Sequence, residues 1–178
     1  MGFLHKLLKK LGLVKTKVGL LILGLSNSGK STVVARLTKE PVEDVAPTVG
    51  FAVESVKIEG LAVTMFDMSG NQRYHELWQH YYKDTTAIMF VLDSADRARF
   101  AEADAVLQEV LHAETLKRVP MLFLCNKMDL ALAASPDEVA QALHLPAASA
   151  ARAFQLQPCS ALEGKGIKEG TQWLLDHV

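Results

Sequence analysis

The sequence predicts an α/β fold: a single domain on a six-stranded, mostly parallel sheet with one antiparallel edge strand and helices on both faces. Three observations carry this expectation. Strand-like and helix-like patterns alternate along the chain, Glu59-Gly60 separates two strand patterns as a tight hairpin, and a glycine-rich loop joins the first strand to the first helix.

The first strand is the apolar run Val18–Leu23. Gly24-Leu25-Ser26-Asn27-Ser28-Gly29-Lys30-Ser31-Thr32 follows it and fits G-x-x-x-x-G-K-[ST], opening a helix over Ser31–Leu37. Phe51–Ile58 and Leu61–Phe66 flank Glu59-Gly60 and form the antiparallel edge. Tyr74–Tyr82 reads as a helix, Ala87–Asp93 as a buried strand, and Arg97–Leu111 as a second long helix. Pro120–Cys125 is the next strand. Pro136–Leu143 starts as a helix should, with Ser135 as cap, Pro136 in the first turn and the acids Asp137 and Glu138 behind it. Gln155–Cys159 and Lys168–His177 close the chain as strand and helix.

At 178 residues the chain has a single-domain length and can bury a substantial core. A hydrophobic content of 49% and a formal net charge of −1 argue against disorder and against nucleic acid as a partner. No apolar run reaches membrane-spanning length, and no cleavable secretory signal is expected. Cys125 and Cys159 each end a buried-strand run and read as reduced core thiols of a cytosolic protein, not as a disulfide or metal pair.

The glycine-rich loop is where chemistry enters. Its glycines let the backbone curl until successive N–H groups face one anion, and the helix behind adds its positive end. Lys30 would reach the β- and γ-phosphates, and the Ser31 hydroxyl would hold Mg²⁺. The alternative is a ligand-free strand-to-helix turn. Asn126-Lys127-Met128-Asp129 follows the buried strand at the sheet edge where such folds bind ligands. Asp129 can accept from guanine N1–H and the 2-amino group, and adenine offers neither donor, so the pair selects guanine. Asn126 would brace the phosphate loop, and the Lys127 stem would cover the base. Asp67-Met68-Ser69-Gly70 ends the third strand; Asp67 is placed to hold Mg²⁺ through water, and the Gly70 N–H can approach a γ-phosphate unobstructed. Thr48 could add a further Mg²⁺ ligand from a loop-rich stretch, or be a solvated turn residue.

These motifs, in this order and spacing, resemble the small GTPases and, within them, the Arf-like branch. Pro47-Thr48-Val49-Gly50-Phe51, Leu77-Trp78-Gln79-His80-Tyr81-Tyr82 and Val91-Leu92-Asp93-Ser94-Ala95-Asp96-Arg97 are branch features, and the resemblance runs from Val18 to Val178. Phe66-Asp67-Met68-Ser69-Gly70 followed by Arg73-Tyr74 and Leu77-Trp78-Gln79-His80-Tyr81-Tyr82 is most similar to the subgroup that recruits the BBSome coat to ciliary membranes. The resemblance implies a phosphate-loop small GTPase domain over residues 17–178 that binds GTP or GDP with Mg²⁺ and hydrolyses GTP. It adds Ser160 and Ala161 as a backbone contact to the base, and Thr48 to the catalytic residues. It also implies an exchange factor, a GTPase-activating protein and an effector or coat protein as partners. Localisation would be cytoplasmic with peripheral membrane association, and by resemblance at the cilium or basal body.

Residues 1–16 form a segment of their own. Phe3, Leu4, Leu7, Leu8 and Leu11 share one helical face, with Lys6, Lys9 and Lys10 on the other side, the pattern of a helix lying in a membrane surface. Such a face can also lie in a groove of its own domain, and the resemblance implies both: groove with GDP, membrane with GTP. Gly2 invites myristoylation, but M-G-x-x-x-[ST] fails at Lys6, which argues against the lipid.

Two departures from the family pattern concern hydrolysis. Asn71 stands where most small GTPases carry the Gln that orients water, and Gln72, one place later, is a weaker substitute. Asn is shorter by about one C–C bond, ~1.5 Å, and a misplacement of that size can cost on the order of 10²-fold in rate. Ser26 occupies a position that is usually Asp in Arf-like proteins and Gly in the wider group. Slow intrinsic hydrolysis is therefore expected, with a non-hydrolysing GTP-binding scaffold as the alternative. A metabolic nucleotide kinase is disfavoured by the lack of Arg-rich lid segments. Phe51, Phe66 and Tyr81 match an exposed aromatic trio that Arf-like proteins offer to effectors; Trp78 lies near it at the effector surface, or belongs to the core.

Overall fold

The computed structural model describes residues 17–43, 45–145 and 152–178. The amphipathic segment expected over residues 1–16 lies outside them. Six strands form one sheet: β1 (Lys17–Leu23), β2 (Phe51–Ile58), β3 (Leu61–Met68), β4 (Ala87–Asp93), β5 (Met121–Asn126) and β6 (Phe154–Pro158), in the order β2-β3-β1-β4-β5-β6. Only β2 and β3 pair antiparallel, with Phe51 opposite Met68 and Ile58 opposite Leu61. The other neighbours are parallel.

The sequence explains the layering. β4 and β5 read as unbroken apolar runs because both faces are covered, and Ile88, Met89, Phe90, Phe123 and Leu124 are fully buried. One face is covered by α3 (Phe100–His112) and α4 (Pro136–Ala142), which bring Phe100, Leu107 and Val139 against Phe90 and Phe123. The other is covered by α1 (Lys30–Thr38) and α5 (Ile167–Asp176), through Val33, Leu174 and Leu175. The hairpin turns on Glu59 and Gly60, both at positive φ (49° and 81°), which matches the twist of paired strands. Ser135 and Glu138 form a reciprocal capping box at the start of α4.

Strand and helix ends differ from expectation by one or two residues. The Tyr74–Tyr82 helix differs more. It is a 3₁₀ turn (Gln72–Tyr74), one α-turn, α2 (His75–Trp78), and a further 3₁₀ stretch (Gln79–Asp84). Two tethers shape it: Trp78 Nε1 donates to the Ser69 carbonyl at 3.3 Å, and Thr85 Oγ1 donates to the Tyr81 carbonyl at 2.8 Å. The start expected at Arg97 is likewise a 3₁₀ turn (Arg97–Arg99) ahead of α3. All five parallel strands present their carboxyl ends on one edge, and the loops that follow build the candidate site there.

Candidate functional site

The loop from Gly24 to Gly29 joins β1 to α1. Asn27 and Gly29 sit at positive φ (64° and 96°), which bends the chain around a central hollow. A Cβ on Gly29 would come 2.3 Å from Asn126 Nδ2, so this position admits no side chain. Lys30 is buried, and its ammonium donates to the Leu25 carbonyl at 2.7 Å across the hollow. Burial lowers its pKa to about 8, opposed by the Asp67 carboxylate. Leu25 is buried, Ser28 Oγ is buried without a hydrogen-bond partner, and Thr32 lines the hollow's rim. Ser26 is exposed; its carbonyl accepts from Arg99 Nη1 at 2.9 Å, and its hydroxyl lies 3.3 Å from the same nitrogen.

Ser31, Thr48 and Asp67 converge beside this loop. Ser31 Oγ donates to Asp67 Oδ2 at 2.7 Å, Thr48 Oγ1 donates to the same oxygen at 3.0 Å, and the two hydroxyls are 2.8 Å apart. Asp67 Oδ1 is buried and unpartnered. An all-oxygen donor set with one carboxylate and a spare carboxylate oxygen fits a small hard cation such as Mg²⁺ bound with a phosphate ligand. Gly70 touches the loop from the other side. Its carbonyl accepts from the Ser26 N–H at 3.1 Å, and a Cβ there would lie 2.2 Å from the Leu25 carbonyl carbon.

A cavity of about 510 Å³ runs from the loop across to residues 45–49 and to the turn after β3, lined by Lys30, Ser31, Thr48, Gly70, Asn71 and Arg73 among others. Asn71 Oδ1 accepts from the Arg73 N–H at 3.2 Å, so the side chain caps the 3₁₀ turn Gln72–Tyr74; Gln72 beside it is exposed.

The second half of the site lies after β5 and β6. Asn126 is buried and bridges two loops: Nδ2 donates to the Ser28 carbonyl at 2.8 Å, and Oδ1 accepts from the Ala161 N–H at 2.9 Å. Lys127, at φ 64°, pairs with Asp93 at 2.6 Å. Asp129 is exposed. Ser160 and Ala161 are buried, and Ser160 exchanges backbone hydrogen bonds with Lys165 at 3.0 and 3.1 Å. Arg36 of α1 donates to the Ala161 carbonyl at 2.8 Å and also to that of Leu162. Sequence reasoning missed Arg36 and Arg99; neither lies in a motif, and both act across long sequence separations.

Phe51, Phe66 and Tyr81 gather on one face of the β2–β3 hairpin, with Tyr81 centred 5.1 Å from Phe51 and 5.0 Å from Phe66. Phe51 is 44% exposed. Trp78, which the sequence left between the effector surface and the core, is core. It is 2% exposed, because its indole N–H needs the Ser69 carbonyl and its ring packs under His75 at 4.3 Å.

A phosphate-cradling loop, an oxygen corner for a divalent cation and an exposed aspartate beside a buried asparagine bridge, all on one edge of this sheet, define a small GTPase. The chain belongs to the ADP-ribosylation factor (Arf) family, whose model matches residues 4–178. It is similar to ADP-ribosylation factor-like protein 6 of Danio rerio, with 42% identity over 182 residues, 100% of this chain and 97% of that protein. It is also similar to the Arl6 BBS3 small GTPase of Trypanosoma brucei with bound nucleotide analogue GppNp; that match has a TM-score of 0.84 at 34% identity over 90% of this chain and 96% of the other. The chain is thus an Arf-like guanine-nucleotide-binding GTPase, converting GTP to GDP and phosphate. Among the described residues no helix is long and apolar enough to cross a membrane.

Proposed function

We propose that this chain is a slow GTP-dependent switch that brings an effector or coat protein to a membrane surface. The observation that carries the reading is the Ser31–Thr48–Asp67 corner. Thr48 ties the loop before β2 to the phosphate site, and Phe51, three residues on, belongs to the aromatic trio. A Mg²⁺ held by Ser31, Thr48 and, through water, Asp67 would supply charge neutralisation on the phosphates. Loss of the γ-phosphate would release Thr48 and with it the shape of the trio. Lys30, the loop backbone and the Gly70 N–H take the phosphates; Asn126, Lys127, Asp129, Ser160 and Ala161 take the guanine. Asn71, committed to capping its own turn, orients water poorly, which supports slow hydrolysis and dependence on an activating protein. An exchange factor would open the site.

The names of the relatives, Arl6 and BBS3, support a BBSome-like coat as effector and a ciliary membrane as destination. Residues 1–16 would insert their apolar face, each large side chain contributing roughly 1.5–3 kcal/mol before ordering costs. The test is vesicle co-sedimentation of the full chain loaded with GppNp or GDP, after the nucleotide carried by the purified protein has been identified. The reading expects guanine nucleotide, with GppNp-loaded protein pelleting and GDP-loaded protein or a variant lacking residues 1–16 staying in solution. Equal pelleting in both states would remove the switch; an adenine nucleotide would remove the base assignment.

A further inference from the structure

We propose that Arg73 is an arginine finger supplied by this chain to its own phosphate site. The inference rests on the cavity being the GTP site, and it names the group that stabilises the transferring phosphate there. Two cationic side chains line the cavity among the described residues, Lys30 at the start of α1 and Arg73 in the 3₁₀ turn after β3. Lys30 belongs to the buried floor. Arg73 stands on the 3₁₀ turn after β3, with its backbone N–H held by Asn71 Oδ1. Its guanidinium lies 4.6 Å from the centre of the Tyr74 ring and donates to the Tyr74 hydroxyl, and Tyr74 lines the same cavity.

The neighbouring arginines set Arg73 apart. Arg97 is tied to Glu138 at 3.0 Å and Arg99 to Glu102 at 2.8 Å, whereas no carboxylate pairs with Arg73 among the described residues. An arginine held on an aromatic face at a phosphate cavity, with its charge uncompensated, is poised for an anion. The planar fork can donate to two equatorial oxygens at once. In hydrolysis the water oxygen bonds to Pγ, the bond from Pγ to the bridging oxygen breaks, and its electron pair leaves on GDP. The water protons pass to phosphate and solvent. Arg73 keeps its protons and offsets negative charge on the γ oxygens. That role matters more here because Asn71 is the shorter residue at the water-orienting position.

The experiment compares the full-length chain with Arg73→Ala and Arg73→Lys. Each is loaded with GTP and followed through a single turnover, and each is tested for binding of GDP with aluminium fluoride, which imitates the transferring phosphoryl group. Fingers contribute 10³–10⁵ in the best cases, and Arg73 shares its fork with Tyr74, so Arg73→Ala should slow turnover by at least ~10-fold. GDP affinity should stay within about twofold, the pattern of an interaction made only in the transition state. Aluminium fluoride should no longer tighten the complex, and Arg73→Lys should remain slow because a point charge lacks the fork. Turnover at the unsubstituted rate in Arg73→Ala would overturn the proposal, as would a parallel loss of GDP affinity. A parent chain that binds no guanine nucleotide would instead overturn the assignment of the cavity itself.

Discussion

Replacing Asn126 by alanine cuts the only side chain that joins the phosphate loop to the Ser160-Ala161 loop among the described residues. Two short hydrogen bonds disappear, at 2.8 and 2.9 Å, and the Ser28 carbonyl and Ala161 N–H lose their partner in surroundings where both residues are 2% exposed. Each lost bond is worth about 0.5–1.5 kcal/mol and each orphaned group about 1–3, and the two overlap, so the change should destabilise the fold by roughly 2–5 kcal/mol. The same contacts hold both loops in register with a bound nucleotide. If half of that loss, roughly 1–2.5 kcal/mol, is felt in the bound state, release should quicken by about fivefold to sixtyfold, since ~1.4 kcal/mol is a factor of ten. Urea unfolding gives the first quantity, and displacement of a fluorescent GDP by excess unlabelled GDP gives the second. Asn126→Asp adds a control. It keeps an acceptor for Ala161 but sets an oxygen against the Ser28 carbonyl, so it should release nucleotide at least as fast as alanine does. Unchanged unfolding and unchanged release in the alanine variant would refute the bridge.

Asn71→Gln should raise single-turnover hydrolysis, by up to about 10²-fold if reach alone limits the rate; equal rates would take Asn71 out of the account. Phe51→Ala should weaken effector binding while leaving nucleotide affinity intact, and a matching fall in nucleotide affinity would make Phe51 structural. Gly70→Ala places a carbon 2.2 Å from the Leu25 backbone, so the phosphate loop must move and nucleotide affinity should fall; unaltered affinity in a titration would show that the turn yields instead. Lys30 predicts a pH effect. Its pKa in the free fold is about 8, below the usual 10.5, so charging it costs stability below pH 8 and that cost fades as pH rises toward 10.5. Phosphate needs the charged form, so binding takes up protons and weakens as pH rises above 8. Calorimetry at about pH 8.5 in buffers of different ionisation heat should register roughly three-quarters of a proton taken up; no uptake would mean that Lys30 is already charged.

The strands were legible because burial on both faces writes unbroken apolar runs, as in β4 and β5, and because Glu59-Gly60 can turn where few pairs can. The start of α4 was legible because a capping box is local. The helix expected over Tyr74–Tyr82 is broken into 3₁₀ and α turns because the hydrogen bond from Trp78 to Ser69 ties it to the end of β3, which no periodicity encodes. Trp78 itself was ambiguous for the same reason. The phosphate loop and Asn126 stand in motifs. Arg36 and Arg99 do not, and their partners Ala161 and Ser26 are backbone carbonyls, to which any nearby long cation could donate.

Cys125 and Cys159 lie side by side at the ends of β5 and β6, 0% and 2% exposed, with both thiols pushed up to about 12 by burial. At neutral pH only about one in 10⁵ of such thiols is ionised, against a few per cent for an ordinary exposed cysteine. Maleimide chemistry should therefore pass over both native sulfurs and find a third one placed on the surface. A cysteine at Val49, 76% exposed at the cavity's edge, would carry a dye that watches the segment around Thr48 open and close in real time, with no native residue removed from the interior.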